Sequence, residues 1–148
     1  MVHVRPAVLA DLAFIVAGNI DMAFETEQLR LDEDTVRAAV RAVLEGRQPG
    51  RYFIAEVDGF GAGQLLITYE WSDWRNKMIW WIQSVYTVPE SRGRGVYRAM
   101  YAHVRAAAVA AGACGLRLYV DTRNRKASDV YAKLGMMGDH YRVFEEMF

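Results

Sequence analysis

The segment VPESRGRGVYRAM, residues 88–100, holds one proline, two glycines and three arginines within thirteen positions. An apolar, β-branched run precedes it and an alanine-rich run follows it, which predicts a strand, a turn and a helix in that order. The first amides of a helix have no main-chain partner, and they carry the positive end of the helix dipole. We therefore expect an anion, such as a phosphate group, to bind at this junction.

The glycines and arginines of this segment suit an anion in different ways. Gly93 and Gly95 allow the backbone to approach a phosphate without interference from a Cβ atom. Arg92, Arg94 and Arg98 are able to add charge-assisted hydrogen bonds. An exposed turn that is merely polar is the alternative explanation. No Gly-Lys-Ser/Thr sequence follows, which excludes a P-loop, and the preceding strand does not open a βαβ series, which excludes a dinucleotide-binding fingerprint.

A second glycine-rich stretch, DGFGAGQ at residues 58–64, offers a contrast. Its glycines, Gly59, Gly61 and Gly63, are spaced by two, but the residues after them have the pattern of a strand rather than a helix. Asp-Gly between two apolar runs is typical of a β-hairpin turn. We therefore interpret this stretch as a hairpin turn and the start of a strand, without a ligand.

The composition predicts one globular domain with an internal core. The chain has 148 residues, 53% apolar and 24% charged, and its 18 basic and 18 acidic residues cancel. This balance argues against a nucleic-acid or membrane partner. The single cysteine, Cys114, excludes an internal disulfide framework and a cysteine zinc cluster, and we expect it to be a small buried residue. We expect a cytoplasmic protein, since no signal peptide or membrane-length apolar run is apparent.

Periodicity and turn residues predict the element order β-α-α-β-β-β-α-β-α-β. Three antiparallel strands before a β-α-β crossover predict a mixed α/β sheet with helices on both faces. The first helix begins at Asp11 and is predicted to break at FETEQLRL, residues 24–31. The later elements are a hairpin, the strand KMIWWIQSVYTV, a helix over 95–111, the strand GLRLYVD, the helix ASDVYAKLG and a final strand in DHYRVFEEMF.

Two motifs resemble those of the GNAT-type N-acetyltransferases. VYTVPESRGRGVYRAMY, residues 85–101, resembles motif A of that family, Arg/Gln-x-x-Gly-x-Gly/Ala, with Arg92, Gly95 and Tyr97 at the three defining positions. Tyr97 departs from the usual Gly or Ala, so its ring must turn away from the ligand. NRKASDVYAKLGM, residues 124–136, resembles the second signature through Asn124 and Tyr131. The resemblance covers nearly the whole chain, and the two motifs together make it specific.

This resemblance implies a GNAT-type fold and acetyl-CoA as co-substrate, with no metal. The diphosphate is expected on a set of consecutive residues that begins with Arg92 and continues with Gly93, Arg94, Gly95, Val96, Tyr97 and Arg98. The pantetheine arm is expected to pair with the backbone of Val85, Tyr86 and Thr87 as an added strand. Asn124 is expected to contact the pantetheine, to cap its helix, or to do both.

Acetyl transfer to an amine requires a base, an oxyanion donor and an acid for the departing thiolate. The resemblance assigns the acid to Tyr131, for which periodicity alone would favour a core position. A backbone N–H near Val85 is the expected oxyanion donor. For the base we favour Glu70 over Asp73, Glu25 and Glu27, although any of these carboxylates could be a solvated loop charge.

The expected acceptor-binding residues lie in two segments, FETEQL and YEWSDWRNK. They are Glu25, Glu27, Trp71, Asp73 and Trp74. The two tryptophans are predicted to border an acceptor pocket or to form a dimer contact, and the resemblance leaves a homodimer open. The leading hypothesis is an N-acetyltransferase for a small-molecule or protein amine. A non-catalytic acyl-CoA-binding sensor is the alternative, and neutral net charge disfavours a nucleic-acid-binding domain.

Overall fold

A computed structural model describes all 148 residues and divides them into two units, Met1–Leu118 and Tyr119–Phe148. The first unit contains five strands and three helices. In chain order they are β1 (Val2–Pro6), α1 (Leu12–Glu27), α2 (Glu33–Leu44), β2 (Arg51–Val57), β3 (Phe60–Ser72), β4 (Lys77–Thr87), α3 (Val96–Ala110) and β5 (Gly115–Leu118). The second unit contains the helix α4 (Arg125–Lys133). None of these helices has both the length and the apolar character needed to cross a membrane.

The five strands form one sheet in the order β1-β2-β3-β4-β5. Neighbours are antiparallel from β1 to β4, whereas β4 and β5 run parallel and are joined through α3. The predicted mixed sheet is therefore confirmed. The Asp-Gly hairpin between β2 and β3 is also confirmed, with Gly59 at a φ of 82°.

Helices cover both faces of the sheet, as the sequence predicts. On one face α3 packs on strands β2 to β4, in a core that includes Met100, Val104, Phe53, Leu65 and Trp80. On the other face α1 and α2 pack on alternate residues of the same strands, in a core that includes Ile15, Val40, Ile54 and Leu66. Burial on both faces explains why the strand sequences are continuously apolar rather than alternating.

A β-bulge in β4 changes which of its side chains face each layer. Leu66 pairs with Ser84 and Ile67 pairs with Ile82, so Gln83 is an extra residue without a partner in the ladder. One extra residue reverses the alternation of side chains along a strand. Accordingly Ile82 belongs to the α3-side core, and beyond the bulge Val85 packs against that same core.

Three boundary predictions are wrong. Helix α1 does not break at Phe24 but continues to Glu27 and ends at Gln28, whose φ is 55°. The amide of Leu29 donates to the carbonyl of Ala23, a Schellman-type closure that apolar periodicity does not reveal. Strand β3 extends to Ser72, so two predicted loop residues, Glu70 and Trp71, lie in a strand.

The third wrong prediction is the final strand. Residues 134–148 contain no strand. Apolar alternation there covers only Tyr141 and Val143 before Phe144 interrupts it. A strand also needs a partner for its amides and carbonyls, and a local sequence pattern does not supply one.

Candidate functional site

The glycine–arginine junction has the backbone geometry of an anion site. After β4 ends, a 3-10 turn at Pro89–Ser91 leads through Gly93 and Gly95, whose φ angles are 75° and 77°. These left-handed conformations favour glycine over any other residue. Gly95 is the N-cap of α3, and because it has no side chain it gives the first amides of α3 no side-chain cap. The amide-rich start of a helix is therefore available to a ligand.

Two of the three arginines at this junction are held by carboxylates. Arg92 donates from Nη2 to Glu25 Oε2 at 2.6 Å and from Nε to the carbonyl of Thr87 at 3.1 Å. Arg94 donates from Nη2 to Asp58 Oδ2 in the β2–β3 turn at 3.2 Å. Arg98 is exposed in the first turn of α3. Arg92 therefore points towards α1, and Arg94 points towards the β2–β3 turn.

Strand β4 has an unequal number of partners along its length. Its ladder with β5 ends at Ile82, whereas its ladder with β3 continues to Thr87. The residues predicted to pair with pantetheine, Val85, Tyr86 and Thr87, lie in this outer part. Their main-chain groups on the β5 side stand beyond the β4–β5 ladder, which is the condition for pairing with an amide-bearing ligand.

Gly63 brings α3 close to the sheet at this point. A Cβ atom on Gly63 would lie 2.9 Å from the carbonyl oxygen of Tyr86 and 2.9 Å from Val96 Cγ1. It would also lie 3.1 Å from Met100 Cε. The first turns of α3 rest on a strand position without a side chain, so this glycine of the second glycine-rich stretch positions the helix of the candidate anion site.

The carboxylates predicted to bind an acceptor differ in their surroundings. Glu25 and Glu27 lie in the last turn of α1, where Glu27 is exposed and Glu25 contacts Arg92 and Tyr86. Glu70 on β3 accepts a hydrogen bond from Arg117 Nη1 on β5 at 2.7 Å. The sequence did not reveal the role of Arg117, since nothing local links it to a residue 47 positions away.

The aromatic residues of the β3–β4 hairpin are open to solvent. Trp71 is 58% exposed at the end of β3, and Trp74 is 86% exposed in the turn beside the exposed Asp73. Any acceptor pocket that these side chains border is therefore an open one. Their role in binding an acceptor stays a prediction.

The second unit carries the remaining predicted residues. Asn124 accepts a hydrogen bond from the amide of Ala127 at 3.1 Å, which confirms it as the N-cap of α4. Tyr131 is half-buried on α4, and burial raises the pKa of its hydroxyl. The phenol is therefore protonated at neutral pH, as a proton donor must be.

The structure also bears on cysteine and metal chemistry. Cys114 is exposed, so the expectation that it is buried is wrong. It stands in the connection between α3 and β5, where its amide donates to the carbonyl of Met78, and it belongs to neither core. No group of three or more His, Cys, Asp or Glu side chains is arranged to hold a metal ion.

Comparison with known proteins points to one family. The family model described as "Acetyltransferase (GNAT) family" matches residues 19–136. A search of curated proteins gives no match. A solved structure of "a possible acetyltransferase from Clostridium difficile 630" is 34% identical, with a TM-score of 0.91, over 100% of this chain and 98% of that one.

Two further solved structures have the same fold at lower identity. One is a ribosomal-protein-alanine N-acetyltransferase from Brucella melitensis biovar Abortus 2308, 14% identical, with a TM-score of 0.79 over 99% of this chain and 100% of that one. The other is the aminoglycoside N-acetyltransferase AAC(6')-Iy in complex with CoA, 16% identical, with a TM-score of 0.81 over 99% of this chain and 95% of that one. These likenesses concern the fold alone.

Proposed function

The chain belongs to the acetyltransferase (GNAT) family, and on that premise we propose that it transfers an acetyl group from acetyl-CoA to an amine. The observation that carries the proposal is the junction of β4 and α3. There a strand that outruns its β5 partner leads into a helix whose first amides have no side-chain cap. The acceptor is an amine of a small molecule or a protein.

The binding of acetyl-CoA would use main-chain groups first and arginines second. The diphosphate would lie on the amides from Gly93 to Arg98, where the positive end of the α3 dipole favours negative charge. The exposed Arg98 and Arg94 would add charge-assisted hydrogen bonds. The pantetheine amides would pair with β4 from Val85 to Thr87.

The reaction we propose is direct attack by the amine on the thioester carbonyl. The amine must first lose a proton, because alkylamines have a pKa of about 10. Glu70 is the proposed acceptor of that proton, through a chain of waters, because its partner in the ladder is Ile79, six positions before Val85 on β4. The oxyanion would be met by a main-chain N–H near Val85. When the C–S bond breaks, Tyr131 would give its proton to the CoA thiolate.

The raised pKa of Tyr131 agrees with this role. A group that donates a proton must still hold it at the working pH, and burial raises the pKa of this phenol above its ordinary value of about 10. The contribution of Tyr131 to turnover is therefore expected to be constant through neutral pH and to be lost only in the alkaline range, beyond the ordinary pKa of a tyrosine, as the phenol ionises.

The variant Tyr131→Phe tests the proposed acid. We expect kcat to fall by about 100-fold or more, since general acid catalysis contributes about 10²–10⁴. The Kd for acetyl-CoA, measured by calorimetry, should stay within about twofold. Tyr141→Phe is the matched control, because Tyr141 is an exposed tyrosine of the same unit. Unchanged turnover in Tyr131→Phe would contradict the assignment.

The acceptor is to be found with acetyl-CoA carrying an isotopically heavy acetyl group. The labelled co-substrate is incubated with a small-molecule extract and with a protein extract, each with and without the enzyme. Mass spectrometry then identifies heavy-acetyl products that require the enzyme. Binding of acetyl-CoA without any product from either extract would favour the alternative, an acyl-CoA-binding sensor.

A further inference from the structure

One carboxylate of α1 contacts two parts of the proposed cofactor site. Glu25 lies in the last turn of α1, just before the connection of residues 28–32 that leads to α2. Its Oε1 accepts a hydrogen bond from the hydroxyl of Tyr86 on β4 at 3.1 Å. Its Oε2 accepts one from Arg92 Nη2 at 2.6 Å. A single side chain thereby joins α1, β4 and the loop that precedes α3.

The contacts among these residues close into a ring, which we name the Glu25 network: Glu25, Tyr86 and Arg92. The guanidinium of Arg92 lies 5.6 Å from the centroid of the Tyr86 ring, and Arg92 Nε donates to the carbonyl of Thr87. Tyr86 is only 7% exposed, so the position of its ring is set by the core. Each member therefore restricts the orientation of the other two.

The hydroxyl of Tyr86 stays protonated and therefore remains a hydrogen-bond donor in this network. Burial first, and then the contact with Glu25, raises the pKa of Tyr86 to about 12. Its hydroxyl accordingly keeps its proton at every pH at which the protein is studied in ordinary buffers. The hydrogen bond to Glu25 persists as long as the carboxylate is present.

The Glu25 network joins segments that are distant in the sequence and that are proposed to bind different ligands. Glu25 is 67 positions from Arg92 and 61 positions from Tyr86. Arg92 directly precedes Gly93, and Tyr86 lies where pantetheine is proposed to pair. The connection 28–32 after α1 is exposed throughout and overlaps the segment FETEQL, which is expected to meet the acceptor. The carboxylate of Glu25 therefore links the loop before α3, which contains Arg92, to the segment where the acceptor is expected to bind.

We propose that Glu25 is a positioning residue that couples the end of α1 and the connection 28–32 to the diphosphate loop, residues 92–98, through Arg92 and Tyr86. Binding of acetyl-CoA then orders residues 22–32, where the acceptor is expected to bind. By reciprocity, acceptor binding strengthens acetyl-CoA binding. This inference rests on the proposed function and deepens it. It also gives Glu25 a role other than direct contact with the acceptor.

The ion pair between Arg92 and Glu25 adds little to the stability of the fold. The side chains of Arg92 and Glu25 are 45% and 39% exposed, and ion pairs at such exposure contribute little to the free energy of unfolding. Removal of the charge on Glu25 should therefore leave the fold intact. The coupling between segments is then measurable by itself.

Hydrogen–deuterium exchange of the full chain, with and without acetyl-CoA, tests the coupling in Glu25→Gln. In the wild type we expect acetyl-CoA to slow exchange in residues 86–98 and also, by about fivefold, in residues 22–32. In Glu25→Gln the slowing at 86–98 should remain, while that at 22–32 should fall below about twofold. Glu45→Gln is the matched control, since Glu45 is a similarly exposed carboxylate paired with Arg47 at 3.0 Å beyond α2.

The outcomes separate this inference from the proposed function. Either of two results would overturn the coupling alone. One is protection of both segments to the same extent in the wild type and in Glu25→Gln. The other is protection, in the wild type, of residues 86–98 but not of residues 22–32. No protection anywhere, together with no calorimetric binding of acetyl-CoA, would overturn both. Tyr86→Phe keeps the buried ring and removes only the hydroxyl. It should also weaken the protection at 22–32 and provides the test if Glu25→Gln does not fold.

Discussion

Two glycine-rich segments of this chain look alike in sequence and do different work in the structure. Residues 58–64 and 92–98 both carry glycines spaced by two. Both contain left-handed glycines, with φ of 82° at Gly59, 75° at Gly93 and 77° at Gly95. At all three positions a Cβ atom would meet nothing within 4 Å. The backbone alone therefore does not distinguish a hairpin turn from an anion site.

The element that follows each segment makes the difference. A strand follows the first, and its amides are used in the ladders with β2 and β4. A helix follows the second, and the first amides of a helix have no main-chain partner. Glycines spaced by two thus indicate an anion site only when the element that follows them has amides without a main-chain partner.

The first segment nevertheless supports the second. Gly63 allows Val96 and Met100 of α3 to lie on β3, and Asp58 pairs with Arg94. A glycine that needs space for a neighbour is more sensitive to substitution than one that needs only a left-handed φ. Two glycine substitutions test this ranking, and a third substitution tests the Asp58–Arg94 pair; they follow in order of decreasing expected effect.

Gly63→Ala should have the largest effect on stability. The new Cβ would lie 2.9 Å from the main-chain carbonyl of Tyr86, which cannot move as a side-chain end can. We expect a loss of about 3 kcal/mol in the free energy of unfolding, measured with denaturant. Gly115→Ala is the control, because a Cβ on this strand glycine meets nothing within 4 Å. Equal stabilities of the two variants would show that space at Gly63 is not limiting.

Gly95→Ala should have a smaller effect on stability and a specific effect on binding. A left-handed alanine costs about 1 kcal/mol, and a shifted backbone would reorient the first amides of α3. We expect acetyl-CoA affinity to fall about tenfold, which corresponds to about 1.4 kcal/mol. Gly59→Ala has the same φ sign and the same free space, so it should lose similar stability without any loss of affinity. A loss of affinity in both variants would remove the distinction between the segments.

Asp58→Asn should have the smallest effect. The Arg94–Asp58 pair is exposed, with the Asp58 side chain 71% accessible, so the free energy of unfolding should change by less than about 0.5 kcal/mol. Removal of a negative charge near the diphosphate loop should raise acetyl-CoA affinity by about twofold at low salt and not at high salt. A fall in affinity would indicate instead that Asp58 positions Arg94 for binding.

Most of the fold was predictable because its signals are local. The hairpin, α3 after Gly95 and the cap Asn124 follow from turn chemistry, apolar periodicity and capping preferences that act within a few residues. The mixed sheet followed from the order of these elements. The predicted strand after α4 failed, because a strand depends on a partner elsewhere in the chain and not on its own alternation.

The candidate site was predictable to the same extent and no further. The anion junction of residues 92–98 follows from glycine and helix-start patterns. The pairing of Glu25 with Arg92, and that of Glu70 with Arg117, did not, since each joins residues more than 40 positions apart. The same holds for the extent of α1, where the last turn is closed by main-chain hydrogen bonds that carry no side-chain pattern.

By itself, the sequence determined where the amide-rich helix start would form and which residues surround it. Those choices depend on φ preferences and periodicity that neighbouring residues set among themselves. Only the tertiary structure decided the bulge at Gln83, the close approach of α3 to Gly63 and the partner of Arg92. Each of these depends on strand register and helix packing, which fix contacts between residues that are distant in the chain.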